Sequence, residues 1–262
     1  MEGIFGKLKR RLLLYKSLLT TVTSIIFTAN VFGQADCPTS TCPPSSFINS
    51  VGINESINYW VKDNSPTIVE LNSTINGKIY DLLGWHVTVP VYSQTSTGYG
   101  AIDLGLDYSL IKSAKFLGSD ASLGINGGVL LPTGSAYFAN PNANVYVGVD
   151  YAMTWGKIEY TQTADIQFVG LQAYTPVFGN VNDYVINADS FVAYQMDEVK
   201  VGAGIQQWYT TGSSVAFLGP KVEWSVSNNV SVECGVGFPV WQNISDDQQN
   251  TAVASLGFGV KF

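Results

Sequence analysis

His86 is the one histidine in this 262-residue chain, and a hydrolase built on it needs an activated serine beside it. No Gly-x-Ser-x-Gly stretch supplies one. Asp103 and Asp107 are four residues apart, which on an extended strand is about 13 Å, too far for the carboxylate pair of a glycosidase. Gly124, Gly127 and Gly128 stand in an alternating stretch without a following helix, so they form no phosphate loop. Cys37 and Cys42, in CPTSTCPP, have the spacing of a small disulfide loop; with no other Cys or His nearby they make no metal centre. Cys234 reads as an inert apolar residue of a strand, facing lipid. The chain is therefore read as no enzyme, with no cofactor and no metal. What remains is a recurring pattern of polar groups: His86, Asp103, Asp107, Asn126, Asp150, Glu159, Asp165, Asp189, Lys200, Lys221, Glu223 and Glu233, each on the polar phase of a two-residue alternation. Side chains in that phase share one face of a sheet, and the chemistry they offer together is that of a mildly acidic lining.

The elements that would position them are strands. Thr251–Phe262 sets Ala252, Ala254, Leu256, Phe258, Val260 and Phe262 against Val253, Ser255, Gly257, Gly259 and Lys261, a period of two unbroken to the end. The same alternation runs through 79–92, 100–111, 119–131, 144–155, 158–168, 185–196, 199–209, 215–226 and 230–241. Each stretch is about the length that crosses a bilayer at a tilt, roughly 9–11 residues. Pro90, Pro220 and Pro239 fall inside them and call for bulges or ladder breaks. Trp155-Gly156-Lys157, Met196-Asp197-Glu198 and Ser227-Asn228-Asn229 read as tight turns, and Pro132–Pro141, Tyr174–Asp183, Thr210–Ser214 and Gln242–Asn250 as longer connections between them. Lys112–Gly118 is long for its place on the tight-turn side. Short turns at one end and long loops at the other are the habit of a membrane barrel, and Trp155, Tyr160, Tyr194 and Trp224 near strand ends suit its aromatic girdles. Two weaker alternations, 53–62 and 67–75, precede these ten strands, with Asn76-Gly77 as a hairpin signal. The expected fold is all-β: a transmembrane antiparallel up-and-down β-barrel of 12 strands, or 10 if the early pair stays outside it.

The first 35 residues read as a signal peptide: Lys7, Lys9, Arg10, Arg11 and Lys16, then an apolar run from Leu18 to Phe32, then small residues at Gly33 and Ala35. Residues 36–52 are a Pro/Ser/Thr-rich periplasmic leader, and the barrel occupies 53–262. Without residues 1–33 the chain keeps eight lysines against nineteen carboxylates, a net charge of −11, and no arginine. That excludes nucleic acid as a partner.

Gly98–Leu110 (GYGAIDLGLDYSL), Gly124–Ser135 (GINGGVLLPTGS) and the closing GFGVKF resemble the outer-membrane channel family associated with meta-pathway phenol degradation. Leu131-Pro132-Thr133-Gly134 matches its Leu-Pro-Thr-Gly element; Ala101 and Ile102 before Asp103 depart from its Gly-Asp element, and Ser109 stands where a basic residue is common. The resemblance implies the outer membrane of a Gram-negative bacterium, the lipid bilayer as partner, and recognition by the barrel-assembly machinery through the strand ending at Phe262. It also implies transport of small solutes, apolar or aromatic ones among them. Two interiors fit the lining residues. One is an open pore that prefers cations and neutral solutes; the other is a lumen filled by paired carboxylates and lysines, leaving a closed structural or surface-adhesion barrel that acts through loops such as 137–144 and 242–250.

Overall fold

The computed structural model describes residues 50–262 apart from 64, 81, 117, 136, 137, 139, 140 and 246–248. The expected signal peptide, the leader as far as 49, and Cys37 and Cys42 lie outside the described residues. In chain order the strands are β1 (Ser50–Lys62), β2 (Ile68–Tyr80), β3 (Leu83–Ser93), a short β4 (Thr97–Tyr99), β5 (Asp103–Phe116), β6 (Ser119–Leu130), β7 (Asn144–Trp155), β8 (Ile158–Phe168), short β9 (Ala173–Thr175) and β10 (Gly179–Val181), β11 (Tyr184–Met196), β12 (Val199–Thr210), β13 (Ser213–Ser227), β14 (Val230–Asn243) and β15 (Asn250–Lys261). The twelve long strands each pair antiparallel with their chain neighbours, and β1 pairs with β15 through Ile57 opposite Leu256, which closes the ring. The early pair thus belongs to the barrel, and twelve strands, not ten, form it. Closure leaves no long edge, the condition for a sheet in hydrocarbon, where an unpaired backbone group costs several kcal/mol.

The alternation sorts side chains as the ladder requires. Leu104, Leu106 and Leu110 on β5, Val145, Val147 and Val149 on β7 and Phe258 on β15 are exposed outward. Their ladder partners carry the same face around the wall, Leu104 opposite Val129 and Tyr108 opposite Ile125. Trp155, Tyr194 and Trp224 stand exposed at one rim and Tyr59, Tyr184, Tyr209 and Trp241 at the other, two girdles separated by the apolar band.

At the first rim every hairpin connection is two residues long: 81–82, 117–118, 156–157, 197–198 and 228–229. Gly118, Gly156 and Asp197 there have φ of 80°, 58° and 49°, the left-handed conformation that tight hairpins demand. Three expectations are corrected. Lys112–Gly118 is not a long turn, because β5 continues to Phe116 and leaves only 117–118. Thr210–Ser214 is not a long loop; Thr211-Gly212 joins β12 to β13 directly, with Gly212 at φ 79°. Asn76-Gly77 is not a turn but lies within β2, paired to β1 on one side and β3 on the other.

The prolines sit where ladders lapse. Pro90 falls between the pairing of β3 with β5, which ends at Thr88, and with β4, which begins at Val91; its carbonyl accepts from the Gly100 N–H at 2.9 Å. Pro220 has a partner in β12 but lies in the gap between Leu218 and Lys221 in the pairing of β13 with β14. Pro239 lies beside a register shift and beyond Gly237, where the pairing of β14 with β15 stops. In each place the missing N–H removes no bond from the ladder that lapses there.

Candidate functional site

The inward face carries two charged sectors and an apolar collar. In the first sector the His86 ring reaches from β3 over β5. Its Nδ1 lies 3.2 Å from Asp107 Oδ2, and its Nε2 lies 3.2 Å from Asp103 Oδ2 and 2.9 Å from the Tyr146 hydroxyl. The ring can lie there because Gly105 is opposite it in the ladder: a Cβ on Gly105 would collide with both the imidazole and the Tyr146 oxygen. Gly128 makes the same room on β6, where a Cβ would stand 2.7 Å from that oxygen. These glycines are thus the floor on which His86 and Tyr146 rest. Next around the wall Asn126 Nδ2 donates to Asp150 Oδ2 at 2.8 Å, and Asp165 and Asp189 stand opposite Asn187 and Gln206 in the ladder. This sector, from β3 to β11, holds Asp103, Asp107, Asp150, Asp165 and Asp189, with His86 between the first two.

The second sector is an ion-pair ladder. Lys200 Nζ lies 2.6 Å from Glu159 Oε2 and 3.9 Å from Glu223 Oε2, and Lys221 Nζ lies 3.0 Å from Glu223 Oε1 and 2.9 Å from Glu233 Oε2. Lys200 on β12 reaches Glu159 on β8 across the intervening β11, where buried Ala193, opposite Glu159, leaves the space. Lys221 also stands 5.4 Å from the centre of the Phe191 ring. Lysines nearly balance glutamates here, so the two walls of the lumen differ in net charge.

Toward the rim of longer connections the inward positions become aromatic. Trp60, Tyr92, Trp208, Val215, Phe217 and Val253 form a collar, and the 169–183 connection folds inward to fill it. β9 and β10 form their own two-stranded sheet, and Val177 at its tip is fully buried against the collar. Buried Lys62 donates from Nζ to the Val177 carbonyl at 2.8 Å. Trp60 stands edge-on to Trp208 and Phe217 at 6.0 and 5.9 Å, while Tyr92, Phe138 and Tyr174 meet at 4.9–5.4 Å. Buried Glu70 accepts from Trp60 Nε1 and Asn58 Nδ2, each at 3.1 Å. Below the collar the interior is cavernous. One space of about 410 Å³ is lined by Glu70, Asp103, Gln167 and Tyr174, and another of about 320 Å³ by Asp189, Lys221 and Glu233. Nearer the tight-turn rim lie spaces of about 560 and 510 Å³ that share Lys78 and Asp107.

The twelve sequence candidates divide between these sectors: His86, Asp103, Asp107, Asn126, Asp150, Asp165 and Asp189 in the first, Glu159, Lys200, Lys221, Glu223 and Glu233 in the second. No group of three potential metal ligands occurs among the described residues. The collar is not among the sequence-based expectations, although its signal is present: Trp60, Tyr92, Trp208 and Phe217 each stand on the polar phase of their strand and close to the same rim. The loop 137–144, read as outward-reaching, sends Phe138 into the collar and holds Asn144 buried, with its Oδ1 accepting from the Gly170 N–H at 3.0 Å.

No family model matches the sequence, and no curated protein matches it. Solved structures do match the fold. An outer membrane channel from Pseudomonas putida F1 superposes with a TM-score of 0.65 at 11% identity, over 87% of this chain and all of that one. The NanC porin gives a TM-score of 0.51 at 9% identity, over 81% of this chain and 98% of its own. The KdgM porin, solved in complex with disordered oligogalacturonate, gives 0.50 at 11%, over 81% of this chain and 99% of its own. The fold is that of an outer-membrane β-barrel.

Proposed function

We propose that the protein is a channel for small solutes in the outer membrane of a Gram-negative bacterium, with the two-residue turns in the periplasm and the collar at the external mouth. The observation that carries this is the lumen. Inside the ring it consists of spaces of about 320–560 Å³ whose linings carry charged side chains, among them Asp103, Asp107, Asp150, Asp189, Lys221 and Glu233. A barrel that served only as a scaffold would gain by filling that space with packed apolar side chains, whereas a hydrated charged lining suits passage. The fold shared with channels and porins supports the same reading.

The preferred solutes are neutral or cationic, and apolar or aromatic groups among them are accommodated by the collar of Trp60, Tyr92 and Trp208. Polyanions are disfavoured, since arginine is absent after residue 11 and carboxylates outnumber lysines in the lumen. The rival reading, a closed barrel acting through its loops, draws on the filled collar. Conductance in planar bilayers separates the two: the channel gives discrete current steps with the reversal potential of a cation-preferring pore, and a folded barrel that stays silent under every condition removes the channel reading.

A further inference from the structure

The collar raises the question of how a channel with a filled mouth conducts. We propose that the 169–183 connection, with β9 and β10 at its centre, is a gate that leaves the collar to open the external mouth; this rests on the channel reading above. Three features set the segment apart from the wall. Its strand pairing is internal, Thr175 opposite Gly179 and Ala173 opposite Val181, in a sheet separate from that of the barrel. Moving it therefore breaks no barrel ladder. Its base is pinched: the Val169 N–H donates to the Asp183 carbonyl at 2.8 Å, so the segment leaves and rejoins the wall at one point, as a flap does. Its tip turn is self-contained, because Thr175 Oγ1 accepts from the Phe178 N–H at 3.1 Å and Gly179 at φ 72° reverses the chain. The hairpin keeps its shape wherever it swings.

What holds it inward is apolar contact of Val177, Tyr174 and Phe178 with the collar and of Ala173 and Val181 with Val185, together with Lys62. That lysine belongs to β1 and is only 6% exposed, with its ammonium on the Val177 carbonyl. That hydrogen bond acts as a latch, and rehydration of the ammonium offsets part of its loss when the carbonyl withdraws. Apolar contact and latch are both reversible holds, unlike the continuous ladder that fixes β8 to β11 on either side of the segment.

The test uses the full chain in three forms. In the first, residues 171–182 are replaced by a short Gly-Ser linker, which the pinched base allows. In the second, Val177→Asp places a carboxylate in the collar while keeping the hairpin. The third is Val177→Cys in a chain whose Cys37, Cys42 and Cys234 are serine. Folding of each is checked by its heat-modifiable mobility on a gel. A gate predicts that the linker form conducts several-fold more than wild type and no longer switches to the closed level, and that Val177→Asp spends a larger fraction of time open. It also predicts that the thiol introduced by Val177→Cys, at a position fully buried in the closed form, reacts with a charged thiol reagent added from the external side. A folded linker form that conducts as wild type does overturns the gate and leaves the channel standing. A linker form that conducts more, while the introduced thiol never reacts, makes the hairpin a fixed plug and equally overturns it. Silence of the folded linker form overturns the channel reading itself, and the gate with it.

Discussion

Gly105 leaves room that the His86 imidazole and the Tyr146 hydroxyl fill. A methyl at residue 105 would overlap the ring, so Gly105→Ala displaces it from between Asp103 and Asp107. Overpacking of this kind costs about 1–3 kcal/mol. Gly124, on the adjacent strand β6, is different: the nearest foreign atom to an added Cβ is the Tyr108 carbonyl oxygen at 3.4 Å. Alanine fits there and restricts the unfolded chain, a gain of roughly 0.5–1 kcal/mol. The two substitutions should shift the urea unfolding midpoint of the refolded barrel differently, down for Gly105→Ala and level or up for Gly124→Ala. The cost of Gly105→Ala should also shrink in a His86→Ala background, where the ring is gone; an unchanged cost there would mean that the imidazole is not what the methyl strikes.

Among the elements, legibility follows the chemical contrast between the two faces of each strand. β5 and β7 alternate cleanly because their outward residues are Leu104, Leu106 and Leu110 or Val145, Val147 and Val149. β1 and β2 do not, and the ladder shows why: Glu55 lies opposite outward Phe258 and opposite Ser73, whose hydroxyl donates to its carboxylate at 2.7 Å. A carboxylate on the outward face erases the contrast on which any inference from alternation depends. Asn76-Gly77 misleads for another reason. Its local preference for a turn is outweighed by pairing on both sides, and the glycine is needed for room, since a Cβ on Gly77 would stand 2.8 Å from Trp85 Nε1. The inward hairpin is unreadable from its own residues, because burial of Val177 depends on Trp60, Val215 and Phe217, brought together only by closure of the ring. The Thr211-Gly212 turn is shorter than its sequence suggests, yet it gives a direct test of its geometry. Gly212 has φ 79° with open space around it, so Gly212→Ala carries only the backbone cost of the left-handed region, about 1–2 kcal/mol. Thermal unfolding should register that loss at Gly212, whereas Gly170→Ala, with ordinary contacts and no such φ, should be near neutral.

For the whole molecule, the decisive property is that charge is distributed unevenly around the lumen. The sector from β3 to β11 carries Asp103, Asp107, Asp150, Asp165 and Asp189 with His86 as its basic partner, while Lys200 and Lys221 nearly balance Glu159, Glu223 and Glu233 on the other wall. Small cations should therefore be enriched along the aspartate wall and anions excluded from it. Ions screen that field over about 10 Å at 0.1 M salt and about 3 Å at 1 M. Spheres of the volume of the lumen spaces would be roughly 8–10 Å across, so the wall's potential spans them in dilute salt and fails to at high salt. Reversal potentials of the hairpin-replaced form should show clear cation preference under a KCl gradient centred near 0.1 M and little near 1 M. Replacing Asp107 and Asp150 by asparagine should reduce the low-salt preference, because both line the same space of about 560 Å³ and neither forms part of the lysine ladder. Lys200→Met with Lys221→Met should act in the opposite sense, freeing Glu159, Glu223 and Glu233 and raising cation preference. If the two double substitutions moved the reversal potential in the same direction, the ions would not be reading the lumen wall, and the preference would have to arise at the mouth.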